Sequence, residues 1–521
     1  MKKQIFAMAT LMAFGLVGCV KEVGNSGKNP EANANVAYLS INVETKKETR
    51  GGSNELKGSD AENAIKSLYL VTFDASGKLV GIPGGSSNYI AIIPGAEKPA
   101  AVKISAAAKN LMVIANPGTK LLAAINALTT GNTFTNFNAA IADVTIAEIV
   151  GDTATGFAMI TGGDEAASPV LDPFVNIDGR LSVVTTTEAD AKAEAEKPEK
   201  RVTVKLERIS SKLVVKPNPG GVTTTQQGAS FTFGTWTVDA LNETYFPFAE
   251  KTLGNNHTPG DYAKNFYTKD PNYSGNTGIV YGTVDSSAGS YAPILPWDNH
   301  YGWIAGEGPA YVIENTMEAA EQKFENATRI VLKAKYYPAG LAASGDWFSF
   351  AGLNYNTLGD LRTAYGAAAD GSNLKNACND FHAAIEAYYA AHTSLGTLAA
   401  TGFADLTTDE LAAVQDGGEV MKGENMIRWY QGGQNYYYYE IRHDNEADGT
   451  MAFGKYGVVR NNWYNLTLNN VSGPGTPWYP DINNPGPGDP DPENPIDDEV
   501  GYLGITVSVA KWIVWDTGFN I

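Results

Sequence analysis

Two short stretches near the start of the chain carry residues that covalent chemistry uses. The first is Leu16-Val17-Gly18-Cys19, which follows two lysines and about a dozen mostly apolar residues. A run of that length is typical of a secretory signal peptide (1–18) and is too short for a stable membrane span. A cysteine after Leu-x-Gly resembles the bacterial lipobox, in which the cysteine becomes the new N-terminus after lipid attachment. The pattern predicts lipidation at Cys19; the alternative is an ordinary signal peptide that ends near a cysteine.

The second stretch is Arg50-Gly51-Gly52, which lies within the polar segment 46–60. Arginine before two glycines in an exposed loop suits a trypsin-like or arginine-specific protease, because such an enzyme needs an extended, flexible substrate. Any arginine in a loop meets that requirement, so the position between a strand and the first domain gives the motif its weight. The predicted cleaved bond joins Arg50 to Gly51.

Motifs of enzymatic catalysis and metal binding are missing from the sequence. There is no HExxH, GxSxG, P-loop or strand-linked GxGxxG, and the acidic run at 489–499 lacks the glycine-turn spacing of a calcium loop. The five histidines are scattered, without metal-ligand spacing, at His257, His300, His382, His392 and His443. We therefore predict no catalytic residues, no metal site and no cofactor, and an enzyme is the rejected reading.

Composition narrows the class of protein further. A chain of 521 residues suits two or three domains, and its 55 glycines and 26 tyrosines favour a β-rich, turn-rich fold. The net charge of −19 argues against nucleic acid as a partner. Cys19 and Cys378 cannot form a disulfide framework, and Cys378 is predicted to be a small buried hydrophobe or an inert thiol.

Two amphipathic strands share a pattern at opposite ends of the chain. The segment 38–44 reads YLSINVE and the segment 502–508 reads YLGITVS. Alternate residues place an apolar face on each strand. In the first strand that face is Ala37, Leu39, Ile41 and Val43; in the second, broken by Lys511, it is Leu503, Ile505, Val507, Val509, Ile513 and Trp515. Each strand is predicted to be detached from its neighbours, and each needs a sheet edge and an apolar groove.

Similar faces suggest that both strands fit one groove at different times. The N-terminal strand fills the groove in the precursor, and cleavage after Arg50 opens it. The C-terminal strand of another copy then enters by β-strand addition, and repetition of this head-to-tail contact builds an open filament. Chance recurrence of a common β pattern is the alternative, but the lipobox, the Arg–Gly bond and a proline-rich leash stand in the order that the mechanism requires.

The organisation between these ends has four further parts. An alternating segment at 202–219 is predicted to carry the chain from one domain to the next. An Ala-rich insertion at about 356–416 is predicted to be helical, with Phe381, Ile385 and Tyr388 or Tyr389 on one face. The predicted boundaries are a propeptide at 19–50, domains at 51–210 and 211–471, an extended Pro/Asp-rich linker at 472–500 and a terminal strand at 501–521.

Several segments together resemble the fimbrillins of Bacteroidales, the subunits of protease-assembled type V pili, and above all the shaft subunits of the short (minor) fimbriae. They are VKLERISSKLVVK, TRIVLKAKYYP, YGVVRNNWYNLTLNNV, the Pro/Asp-rich linker and the ending ITVSVAKWIVW. The resemblance implies a mostly β fold with two transthyretin-like β-sandwich domains. It also implies that Cys19 is lipidated, that Arg50–Gly51 is cut, and that the strand from Leu503 is the donor in donor-strand exchange.

The family also implies partners and a location. These are an outer-membrane lipoprotein precursor, an arginine-specific protease, copies of the chain itself, accessory tip and anchor subunits, and surface receptors on host or bacteria. An extracellular fimbrium that supports adhesion and biofilm formation is the expected product. The rival function is a monomeric surface lipoprotein that binds glycans through Tyr436–Tyr439. The terminal strand argues against it, because a monomeric binder has no use for a detached amphipathic strand.

Overall fold

β-strands dominate the architecture. The computed structural model describes residues 35–44, 55–85, 89–92, 100–152, 154–162, 173–253, 266–275, 277–284, 291, 293–297, 302–423, 426–444, 451–498 and 501–513. Short 3-10 turns lie at Ile146–Glu148, Ala319–Glu321, Thr393–Leu395, Phe403–Asp405, Gln431–Gly433 and Ile496–Asp498. None of the described helices combines the length and the apolar composition that crossing a membrane requires.

The N-terminal part contains two sheets and several helices. Its strands are β1 Val36–Leu39, β2 Ile41–Glu44, β3 Glu55–Lys57, β4 Leu68–Phe73, β5 Tyr89–Ile92, β6 Val102–Ser105, β7 Asn110–Ala115, β8 Met159–Thr161, β9 Val175–Asn176, β10 Ser182–Val183 and β11 Val202–Arg208. Its helices are α1 Asp60–Asn63, α2 Thr119–Ala127, α3 Phe134–Phe137 and α4 Glu188–Ala195. The smaller sheet has the order β10-β1-β6 and the larger one β2-β11-β8-β7-β4-β5, with β9 beside β7.

The larger sheet is buried on both faces. Its strand β7 reads NLMVIA, and such a continuous apolar run is what a central strand needs when neither face meets water. Leu111 and Val113 pack toward the smaller sheet, in a core that includes Leu39 of β1. On the other face, Met112 and Ile114 belong to a core cluster with Leu121 and Ile125 of α2 and with residues of the C-terminal sheets.

The C-terminal part is built around a pair of facing sheets. Its strands are β12 Ser210–Pro217, β13 Thr223–Thr224, β14 Ser230–Asp239, β15 Leu241–Asn242, β16 Glu250–Leu253, β17 Phe266–Lys269, β18 Ile279–Val280, β19 Thr283–Val284, β20 Pro293–Ile294, β21 Ile304–Ala305, β22 Pro309–Ile313, β23 Arg329–Tyr337, β24 Trp347–Phe350, β25 Leu353–Tyr355, β26 Arg428–Tyr430, β27 Gln434–Glu440, β28 Asn462–Val471 and β29 Leu503–Ile513. One sheet has the order β22-β12-β28-β29-β3 and the other β21-β14-β23-β27.

One apolar core fills the space between these two sheets. Leu466 of β28 and Val507 of β29 share it with Trp236 of β14 and Leu332 of β23. The chain passes from the N-terminal sheets to this pair at the fully buried Ile209, because β11 pairs with β8 and β2 whereas β12 pairs with β22 and β28. This passage lies within the segment 202–219 that the alternation indicated.

The insertion between β25 and β26 is helical, as the sequence predicts. It contains α5 Leu358–Ala367, α6 Asn373–Ala391, α7 Thr408–Ala412 and α8 Gly417–Val420. Helix α6 buries Phe381, Ile385, Tyr388 and Tyr389, and the Phe381 ring lies 5.8 Å from that of Trp429. Cys378 lies in the same core, and burial raises the pKa of its thiol to about 12, so it is unreactive at neutral pH.

We expect Thr407→Ala to destabilise the insertion by about 1 kcal/mol, because it removes an N-cap. Thr407 Oγ1 accepts a hydrogen bond from the Glu410 amide (3.2 Å), and Glu410 Oε2 accepts one from the Thr407 amide (2.8 Å). Urea unfolding followed by circular dichroism measures the loss. Thr408→Ala at the neighbouring exposed position is the matched control and should change stability little; an equal loss in both variants would contradict the capping role.

The Pro/Asp-rich segment 472–498 is packed on the protein, so the prediction of an extended linker is wrong for these residues. Trp478 and Tyr479 are at most 1% exposed, and the amides of Thr476 and Tyr436 exchange hydrogen bonds with each other's carbonyls (2.8 and 3.0 Å). Near its end, Asp497 forms an ion pair with Lys455 (2.8 Å). Proline removes backbone donors, but buried aromatic side chains and hydrogen-bonded turns hold the segment in place without an α-helix or a β-strand.

Candidate assembly site formed by the terminal strands

The N-terminal strand is a middle strand of the smaller sheet. In β1, Tyr38 lies opposite Lys103 of β6 on one edge and opposite Ser182 of β10 on the other, both antiparallel. The chain then crosses to the larger sheet, where β2 runs parallel to β11 with Ile41 opposite Val202. This pairing is the one expected of a strand that fills a groove in the precursor: the segment 36–44 is paired along its length, bridges two sheets and forms no hairpin with a strand next to it in sequence.

The predicted apolar face of this strand points into the core. Ala37, Leu39, Ile41 and Val43 are each at most 5% exposed and belong to the core cluster between the two N-terminal sheets. Ser40 marks the crossing point, and its carbonyl accepts a hydrogen bond from the Val202 amide (2.9 Å). Removing the strand would leave a slot with unpaired backbone groups on its edges and an apolar floor.

The opposite face of β1 is also buried. Val36 and Tyr38 pack with Ala191 and Ala195 of α4. The i, i+4 spacing of these two alanines in the sequence indicates that they lie on one side of a helix, where they can pack against a neighbouring strand. The slot therefore has a helical wall in addition to its apolar floor.

A polar contact fixes the strand against this wall. Tyr38 Oη donates to Glu188 Oε2 (2.9 Å), and Lys103 Nζ forms an ion pair with Glu188 Oε1 (2.8 Å). Burial, and then the hydrogen bond to Glu188, raises the pKa of Tyr38 to about 12. Lys103, and then Tyr38, lowers the pKa of Glu188. Because the carboxylate accepts both hydrogen bonds, the contact favours a neutral phenol and an ionised acid.

We expect the phenol of Tyr38 to report whether the strand occupies its slot. At pH 11 about one tenth of Tyr38 should be ionised in the intact precursor, against about nine tenths in a free peptide of residues 36–44. A raised pKa in the folded state stabilises the bound strand below pH 10 and loses its effect as the pH rises through 12. The ultraviolet difference spectrum between the wild type and Tyr38→Phe measures it; titration near pH 10 in the precursor would contradict the contact.

The segment that follows the N-terminal strand in sequence packs on a C-terminal sheet. Strand β3 runs parallel to the end of β29, with Glu55 opposite Lys511, and α1 follows it. Glu62 of α1 is buried, with Oε1 in an ion pair with Lys212 Nζ (2.8 Å) and accepting from Tyr311 Oη (2.5 Å). The predicted cleaved bond, Arg50–Gly51, falls between β2 and β3. That bond lies outside the described residues, as do Cys19 and Trp515.

The C-terminal strand is paired with its own chain. Strand β29 runs antiparallel to β28 from Leu503, opposite Val471, to Lys511, opposite Asn462, so the expectation that this strand is detached is wrong. Period-2 alternation is present as the sequence indicates. Leu503, Val507 and Val509 are buried and Ile505 is half-buried, while Thr506 and Ser508 are exposed; Ile513 lies in the strand. In this structure, the two terminal strands therefore occupy positions in two different sheets of the same chain.

Several tyrosine and histidine side chains that were considered for glycan or metal binding are buried or hydrogen-bonded within the protein. Tyr436 and Tyr437 are fully buried on opposite faces of β27, so neither ring is available to stack on a sugar. His443 is buried with Nδ1 2.8 Å from Tyr464 Oη, and His382 Nε2 lies 3.1 Å from the Ala400 carbonyl. In the part of the chain that the structure describes, His, Cys, Asp and Glu side chains form no cluster that could hold a metal ion. His257 and His300 lie outside that part.

Comparison with known proteins gives two family matches. The family described as "Major fimbrial subunit protein (FimA)" matches residues 37–208, and the family described as "Major fimbrial subunit protein type IV, Fimbrillin, C-terminal" matches residues 428–517. The matched regions include β1, β11, β28 and β29, the strands that form the site described above. No curated protein sequence matches the chain significantly.

Several solved structures of bacterial fimbrial proteins are similar to the chain. A fimbrilin from Porphyromonas gingivalis is 14% identical, with a TM-score of 0.39 over 92% of this chain and 98% of that one. The tip fimbrial protein Mfa3 from Porphyromonas gingivalis, with a C-terminal truncation, is 13% identical, with a TM-score of 0.32 over 92% and 100%. A fimbrial assembly protein from Parabacteroides distasonis is 12% identical, with a TM-score of 0.23 over 58% and 86%.

Proposed function

The chain belongs to the fimbrillin family of fimbrial subunits, and from this premise we propose that it is a shaft subunit whose C-terminal strand polymerises it by donor-strand exchange. The precursor is exported, lipidated at Cys19 and tethered to the outer membrane. An arginine-specific protease cuts after Arg50, and the N-terminal strand leaves its slot. The strand beginning at Leu503 of another copy then enters. A fimbrial subunit is a structural protein, so the chain is not an enzyme.

The observation that carries this proposal is the position of the segment 36–44. It is flanked by partner strands on both edges of β1, and its apolar side chains are buried. Burial of the large side chains of Val36, Leu39, Ile41 and Val43 contributes roughly 6–12 kcal/mol at about 1.5–3 kcal/mol each. A vacated slot of this kind is unstable in water, and another strand with the same alternation is the natural occupant.

The C-terminal strand has the pattern that the slot requires, but it must first leave β28. It has no tight turn to β28, because the segment 472–498 connects the two strands. That segment is held by side chains and short turns, and not by a sheet of its own. Its release would supply the length that a donor strand needs to reach a neighbouring subunit.

The function implies further partners, which the same proposal includes. They are accessory subunits at the tip and the anchor, the processing protease, and receptors on host or bacterial surfaces. A donor strand at the C-terminus favours a place in the shaft, since a terminal tip subunit has no following subunit to donate to. Adhesion and biofilm formation would be properties of the assembled fimbrium.

Labelled palmitate should enter the wild-type precursor in cells but not the Cys19→Ala variant, and equal labelling of both would exclude lipidation at this residue.

Controlled proteolysis tests the proposal directly. We expect an arginine-specific protease to convert a precursor that begins after Cys19 into filaments, seen by size-exclusion chromatography and negative-stain microscopy. Arg50→Ala is the matched control for the cut and should remain monomeric. A chain that ends after Asp498 should be cut but should not form filaments. A cut subunit that stays monomeric with its C-terminal strand intact would contradict donor-strand exchange.

A further inference from the structure

We propose a single register for the incoming strand: residues 500–507 of the donor copy replace residues 36–43 of the acceptor, and the donor's Tyr502 donates a hydrogen bond to Glu188. This inference rests on the proposed function, because the occupant is a second copy of the same chain. It adds the residue-by-residue fit, including the polar contact that positions the donor strand along the slot.

The inner face of the slot allows this register and disfavours its neighbours. The acceptor segment reads VAYLSINV and the donor segment VGYLGITV, with identical residues where Leu39, Ile41 and Val43 fill the core. A shift of one residue turns the apolar face outward. A shift of two would place either Leu503 at the fully buried position of Ala37, where the larger side chain would overpack the core, or Gly501 at the position of Leu39, where it would leave a void.

The outer face gives an independent argument for the same register. Val36 and Tyr38 pack on α4, and the donor has Val500 and Tyr502 at the same spacing. In the self-paired state Tyr502 is 38% exposed, which makes it one of the large hydrophobic side chains exposed to solvent. At the position of Tyr38 it would be covered by α4. The two strands therefore match on both faces of the slot, whereas Tyr502, just before β29, and Thr506 and Ser508 on its second face stay exposed in the pairing with β28.

Glu188 is the hydrogen-bond acceptor that fixes the position of the donor strand along the slot. Its carboxylate is held by Lys103 of β6 and accepts from the phenol of Tyr38 (2.8 and 2.9 Å). Neither of these two groups moves with the propeptide, because Glu188 and Lys103 both follow the cleaved bond in sequence. When Tyr38 leaves, the carboxylate is still oriented for a phenol at that position, and Tyr502 brings one in the proposed register.

Engineered disulfides between subunits test the register. Val36 lies opposite Ser105, so cysteines at 500 and 105 should give a ladder of covalent oligomers after cleavage, assembly and oxidation. Ser182 lies opposite Tyr38 on the other edge of β1, so cysteines at 500 and 182 are the matched control, two residues out of register, and should give no ladder. Filaments that cross-link only through 182 would overturn the register, and filaments that cross-link through neither would overturn the slot. A wild-type protein that forms no filaments would instead overturn the proposed function, and this inference with it.

A double-mutant cycle tests the hydrogen bond. We expect Tyr502→Phe and Glu188→Gln each to speed the dissociation of filaments in urea by about 3- to 10-fold, because each removes a charge-assisted hydrogen bond that is partly exposed to solvent. The double variant should dissociate no faster than the faster single variant. Independent effects that multiply in the double variant would overturn the contact, even if the cross-links confirm the register.

Discussion

A disulfide between β28 and β29 should abolish polymerisation, and a reductant should restore it. Asn465 and Ser508 face each other across this antiparallel pair, and neither side chain is buried, so cysteines at 465 and 508 meet the geometric requirement with little effect on the core. Strand β29 can enter another subunit only after it leaves β28. We expect no filaments from the oxidised, cleaved protein and the wild-type yield of filaments after reduction.

The natural cysteines do not interfere with this experiment. Cys378 is fully buried, and Cys19 is absent from a precursor that begins at residue 20. Cysteines at 232 and 335 are the matched control, because they join β14 to β23, a pair that does not need to separate. That disulfide should leave assembly unchanged. Filament formation by the oxidised 465–508 variant would show that β29 stays on β28, and donor-strand exchange through this strand would then be excluded.

Asp239→Ala should lower the free energy of unfolding by about 3–5 kcal/mol, because it leaves a charge buried without its partner. Asp239 Oδ2 accepts from Arg329 Nε (2.9 Å) and Nη2 (2.5 Å), and both side chains are fully buried in the C-terminal sheets. Asp239 Oδ1 also accepts from the Gly282 amide (2.7 Å). Urea unfolding followed by tryptophan fluorescence measures the loss.

Two comparisons separate a lost partner from a lost volume. Asp178→Ala breaks the exposed ion pair with Lys109 (2.7 Å) and should cost less than about 1 kcal/mol. The double variant Asp239→Leu with Arg329→Met removes both buried charges and should recover much of the stability that Asp239→Ala loses. If the double variant is less stable than the single one, packing around the pair, and not the unpaired charge, governs the loss.

The sequence predicts which side chains of the terminal strands face a core, but not which sheet they join. Alternation alone identifies Leu39 and Ile41, or Leu503 and Val507, as inward-facing residues, because side chains on a strand alternate with period 2. Hydrogen bonds along the strand edges come from the backbone and leave no trace in side-chain patterning. For this reason alternation alone does not show that β1 joins β6 and β10, or that β29 pairs with β28 of its own chain.

The segment 472–498 shows a second limit of prediction from the sequence: a lack of periodicity does not reveal whether a segment is packed on the protein. Its prolines argue against a strand of a sheet, and residues 472–498 contain no strand. It does not follow that such a segment is extended, because burial of Trp478 and Tyr479 is sufficient to fold it against β27 without periodicity. The long, periodic helix α6 was predictable for the converse reason: Phe381, Ile385 and Tyr388 follow one another at helical spacing and are buried on one face.

The antiparallel pairing of β1 on both of its edges has a mechanical consequence for a filament. A donor strand in that position would be pulled along its own axis when the fimbrium is stretched. Hydrogen bonds on both edges would then carry the load in shear and would have to break together, whereas a strand peeled from one end loses them one at a time. The joint between subunits would resist tension far better than its equilibrium affinity suggests, which is the property that a surface fibre needs under flow.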